Sequence, residues 1–96
     1  MGRRAPKRQY PIQMVRPMND SRAVLATLSC KGKFQDCRSD PNGGPSSITL
    51  QDWVVCRYGG RIVLYPPSVD GEPWNGGTEY PDSDTAIAVM RMCANA

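Results

Sequence analysis

The sequence predicts a mainly β fold: a small, disulfide-braced β-sandwich or barrel-like domain built around a hairpin over 48–65, with a disordered basic N-terminal arm. Three observations lead there. Gly59-Gly60 separates two apolar stretches, Ile48 to Tyr58 and Arg61 to Tyr65, by the two residues of a tight hairpin turn. Nine glycines and nine prolines in 96 residues, with only 40% apolar residues, describe a turn-rich chain with a modest core. Four cysteines with no histidine suit a framework of disulfides better than a metal site. This length supports one domain, placed at 10–96, behind an arm at 1–9.

The elements follow in order. Residues 1–9 combine Gly, Arg, Lys and Pro without pattern and read as disordered. From Gln9 to Met18, Tyr10, Ile12, Met14 and Arg16 share one parity between flanking prolines, which indicates an edge strand. Asn19-Asp20-Ser21 marks a turn or a helix start and fits the N-glycosylation pattern. Residues 22–31 leave two readings. Ser21 ahead and Gly32 behind fit a helix, whereas Val24, Thr27 and the turn after them favour the strand preferred here. Ser39 to Ser47, with Asp-Pro, Asn-Gly and Gly-Pro steps, is a loop.

In the hairpin, the Gly-Gly turn sets Tyr58 opposite Arg61, Cys56 opposite Val63 and Val54 opposite Tyr65. Ile48, Leu50, Val54, Cys56, Val63 and Tyr65 then form the core face, with Asp52 as its misfit. The other face carries Trp53, Val55, Arg57, Ile62 and Leu64. It is too apolar to be bare, so it is either half covered or a contact surface. Pro66-Pro67 ends the hairpin, and 68–82 is a long loop around Trp74. Residues 84–94 suit a helix capped by Ser83 or Asp84, or equally a buried strand, because Ile87 and Val89 are β-branched.

The cysteines Cys30, Cys37, Cys56 and Cys93 have 6, 18 and 36 residues between them, which fits no common zinc or iron–sulfur spacing. They are read as two disulfides. Cys30–Cys93 with Cys37–Cys56 is preferred over Cys30–Cys37 with Cys56–Cys93. No metal and no cofactor are expected.

Chemistry is constrained by what is missing. Without histidine there is no Ser-His or Cys-His dyad, and no motif of phosphate, dinucleotide or metal binding occurs. Asp82-Ser83-Asp84 lacks the twelve-residue pattern of a calcium loop and reads as a helix start or solvated face. The expectation is a protein that is not an enzyme and has no catalytic residues. Trp53 and Arg57 on one hairpin face, and Trp74 in its glycine-rich loop, are the candidate contacts for a protein partner. Charge is uneven. Residues 1–22 hold six cations against Asp20, whereas 63–96 hold Arg91 against five carboxylates. The alternative function is therefore a nucleic-acid-binding or virion-associated protein that grips phosphate with Arg3, Arg4, Lys7 and Arg8.

No stretch reaches membrane-spanning length, and none near Met1 has the apolar run of a signal peptide. In build the chain resembles small secreted fungal effectors and toxins: a dibasic pair (Lys7-Arg8), a few cysteines, and short strands joined by Gly/Pro loops. That resemblance lies in composition and implies a secreted, effector- or toxin-like binding protein. The alternative places the chain inside a cell or virion. No residue role is carried over from it.

Overall fold

The computed structural model describes residues 15–17, 21–39 and 48–95. The basic arm, residues 9–14 and 18 of the edge strand expected over Gln9 to Met18, Asn19 and Asp20 of the glycosylation triplet, and loop residues 40–47 lie outside the described residues.

The fold is mainly β. Five antiparallel strands, β1 (Ala23–Leu28), β2 (Phe34–Asp36), β3 (Trp53–Tyr58), β4 (Arg61–Tyr65) and β5 (Thr78–Tyr80), form one sheet in the order β2-β1-β3-β4-β5. One helix, α1 (Ser83–Ala94), follows. The hairpin register is the expected one: Tyr58 faces Arg61, Cys56 faces Val63 and Val54 faces Tyr65. Both turn glycines have positive φ, +60° and +78°, a region costly for residues with a Cβ. Strand β3 starts only at Trp53. Before it the chain turns, with Asp52 N–H donating to the Thr49 carbonyl and the Asp52 carboxylate accepting from Thr49 N–H. That turn explains the misfit, because Asp52 stands outside the ladder.

Residues 22–31 contain the preferred strand. The run read ambiguously because β1 carries a bulge between Val24 and Ala26. Leu25 and Ala26 both join the core beneath the helix, while Val24 joins the opposite one. A bulge breaks the period of two that marks a strand in sequence.

The sandwich or barrel expectation is corrected. Among the described residues there is one sheet, and α1 covers its second face. Ala86, Ile87 and Met90, at helical spacing, bury against Leu25, Leu28, Val55 and Leu64. Residues 83–94 are therefore the helical alternative, since a face with three such positions finds its partner in the apolar sheet. The cap is Asp82, whose carboxylate accepts from Thr85 N–H at 2.7 Å, and not Ser83 or Asp84. On the opposite face Val24, Ile48, Val54, Cys56 and Tyr65 form a smaller core, with Val63 and Trp74 against it. Two segments lie over it, tied by a Val15–Thr49 bridge and by Ser68 N–H donating to the Leu50 carbonyl.

The expected disulfides are not formed. Cys37 aligns beside Leu25 and Cys56 beside Val24, so β1 runs between them. Two strand spacings, about 10 Å, exceed the reach of a disulfide. Cys56 faces the smaller core, and Cys93 sits on α1 across the sheet, which rules out the alternative pairing as well. Cys30 and Cys93 are both exposed. The folded chain is braced by its two cores rather than by covalent links.

Candidate binding surface at the hairpin end

The smaller-core face of the β3–β4 hairpin gathers, toward its turn, a set of aromatic and cationic residues. Arg22 precedes β1 beside the end of β3, where Ala23 pairs with Arg57. Its guanidinium lies 4.0 Å from the Tyr58 ring, 4.4 Å from Trp74 and 5.5 Å from Tyr65. Its Nε donates to the Tyr65 hydroxyl at 3.3 Å. Trp74 meets Tyr65 edge to face, with centroids 5.0 Å apart and planes at 67°. Gly77 makes this approach possible, because a Cβ there would stand 2.6 Å from the Tyr65 ring.

A second cation supports the cluster from beneath. Arg16, only 1% exposed, places Nη2 on the backbone carbonyls of Asp52 at 3.0 Å, Pro66 at 2.9 Å and Leu50 at 3.4 Å. Its guanidinium is 5.3 Å from the Trp74 ring. Burial lowers its pKa from the ordinary arginine value, opposed by the negative potential of Cys56, Asp52 and Tyr65. The Nε and Nη1 of Arg16 and the Nε1 of Trp74 are buried without hydrogen-bond partners. Arg16 thus anchors both covering segments and the start of β3, and two guanidiniums lie within cation–π distance of Trp74.

The predicted site residues separate. Trp74 folds back onto the sheet, half-buried, as a lid on the core. Trp53 and Arg57 share a face of β3 but lie at opposite ends: Trp53 is half-buried beneath α1, while Arg57 is exposed at the hairpin tip. Tyr58, 40% exposed, and Arg61 complete that tip. Arg3, Arg4, Lys7 and Arg8 lie outside the described residues. Sequence reasoning missed Arg16, Arg22, Tyr58 and Tyr65 as members of one cluster. The available signals were the parity of Arg16 with Tyr10, Ile12 and Met14, and the pairing of Tyr58 with Arg61 beside the turn.

The acidic triplet has a structural use. Arg38 grips Asp36 with two nitrogens, at 2.7 and 3.0 Å, and reaches Asp84 at 2.6 Å and Ser83 Oγ at 3.0 Å. This ties edge strand β2 to the first turn of α1. No group of three or more metal-ligating side chains occurs among the described residues, and no helix there is long and apolar enough to cross a membrane.

Comparison with models of protein families, with curated proteins and with solved structures gives no match.

Proposed function

We propose that this protein is a non-enzymatic binding module that contacts a protein partner through the hairpin end. The contact residues are Tyr58, with Trp74 and Arg22 behind it, and Arg57, which leaves the strand on the opposite face beside the same turn. One observation carries the reading: the Arg22 guanidinium lies over both the Tyr58 and the Trp74 rings, which fixes an exposed tyrosine at the hairpin turn. Tyrosine, tryptophan and arginine are the residues that dominate interface energetics, and a side chain ordered in advance loses less entropy on docking. Trp53, covered by α1, takes no part in this surface. The secreted, effector-like setting belongs to the same proposal and is supported by the build of the chain.

The test is affinity capture from extracts with the wild type, a Tyr58→Ala/Arg57→Ala variant and a chain lacking residues 2–8. All three must show the same circular dichroism. A partner retained by the wild type and the truncated chain but lost by the double variant supports the proposal. Capture unaffected by the double variant defeats it. Salt-steep binding of RNA or DNA that vanishes with residues 2–8 establishes the nucleic-acid alternative instead.

A further inference from the structure

At the other end of β3, on the helix side of the sheet, the molecule holds a cavity of about 210 Å³. It opens between the β1–β2 turn and the last turn of α1. Phe34 and Trp53 supply aromatic walls, Leu28 an aliphatic one, and Ser29, Cys30 and Arg91 line the rest with polar atoms. The opening is lined mainly by polar atoms and is partly open to solvent, and its volume admits one ring with a short polar substituent.

The charge around it has one sign. The Arg91 guanidinium lies over the Phe34 ring at 4.4 Å. Stacking occupies its face and leaves the N–H groups in its plane to point elsewhere. No ion pair to Arg91 forms among the described residues, and no acidic side chain lines the cavity. Lys31 and Lys33 stand exposed on the adjoining turn, whose backbone is fixed by Ser29 Oγ accepting from both of their N–H groups. The end of α1 opposes an anion, with a partial charge of about −0.5. The Asn95 N–H already takes up the carbonyls of Arg91 and Cys93, and the full charge of Arg91 outweighs what is left.

We propose that this cavity binds a small planar aromatic carboxylate, its ring against Phe34 and Trp53 and its carboxylate on Arg91. A flat ring matches the two aromatic walls, and a carboxylate matches the fork of a guanidinium in two parallel hydrogen bonds. The site is separate from the hairpin end and does not depend on what binds there.

Benzoate and its neutral isostere benzamide, titrated into the full chain and followed by amide and indole NMR signals, test the proposal. Benzoate should move the signals of Phe34, Trp53, Arg91 and Asn95, with a dissociation constant of about 1 mM or tighter. Benzamide should bind about tenfold more weakly or worse. Benzoate should also slow alkylation of Cys30, which lines the cavity, and leave exposed Cys93 unaffected. Arg91→Gln should erase the difference between the two ligands. Equal binding of benzoate and benzamide to the wild type overturns the proposal without any variant. So do shifts confined to residues away from the cavity, or no saturation by about 20 mM benzoate.

Discussion

Arg16 shows how one side chain organises a whole face of the molecule. A buried guanidinium is costly, and it persists here because its Nη2 serves three carbonyls from two different stretches of chain. Arg16→Ala should therefore destabilise by about 2–4 kcal/mol, read as a shift in urea midpoint at unchanged m-value. Arg16→Met, which restores the apolar stem but no donor, should cost nearly as much. Full rescue by methionine would show that the side chain only fills space. The residue was legible in sequence as a parity match and illegible as a core residue. Charge argues for the surface, and nothing local reveals that three carbonyls distant in the chain converge on position 16.

At the scale of elements, the contact between β2 and α1 depends on ionised carboxylates. Hydrogen bonds from Arg38 hold the Asp36 pKa down to about 2, from an ordinary value near 4. A depressed carboxylate contributes stability above its unfolded pKa and loses it as pH falls through the folded one. The window runs from about pH 4 to about pH 2. The Arg38 and Asp36 side chains are 34% and 37% exposed and Asp84 87%, so the effect is small and screened by salt. Wild type and Arg38→Ala should differ in melting temperature at pH 6 and converge as pH falls through that window. A gap that persists at pH 2 would assign the role of Arg38 to packing. Elements were legible in proportion to how local their causes are. Gly59-Gly60 dictates a turn, and the turn dictates the register of β3 and β4. The identity of α1 depended instead on whether Ile87 and Met90 would find an apolar sheet, a fact held in Val55 and Leu64. The bulge in β1 hid a strand by breaking its alternation.

For the whole molecule, the cysteines mark where counting residues fails. An even number of thiols announces pairing only if the fold brings them together. Here β1 separates Cys37 from Cys56, and the sheet separates Cys56 from Cys93. The native protein should expose two thiols, Cys30 and Cys93, to a water-soluble reagent, with Cys37 and Cys56 reacting only on unfolding. Its melting temperature should be the same with and without reductant. A native protein without titratable thiols, or one that melts earlier once reduced, would restore the disulfide framework. The candidate site is less legible than the fold for the same reason: Arg22, Tyr58 and Trp74 meet only after the loop behind β4 has folded back.

The sheet order also has a history in time. Strands β3 and β4 meet through two residues, the cheapest closure in the molecule, whereas β1 reaches β3 across residues 29–52. The pairing of β1 with β3 is thus a late seam through the middle of the sheet, and β2 is carried in with it on the short Ser29–Lys33 turn. Assembly should begin at the hairpin and α1 and finish at the seam. A change in β1, such as Ala26→Gly, should then accelerate unfolding far more than it slows folding. The same weakening around Val63 or Leu64 should fall mainly on the folding rate. Whatever first loosens this protein will open it along β1, and the hairpin carrying Tyr58 will be the last part to come undone.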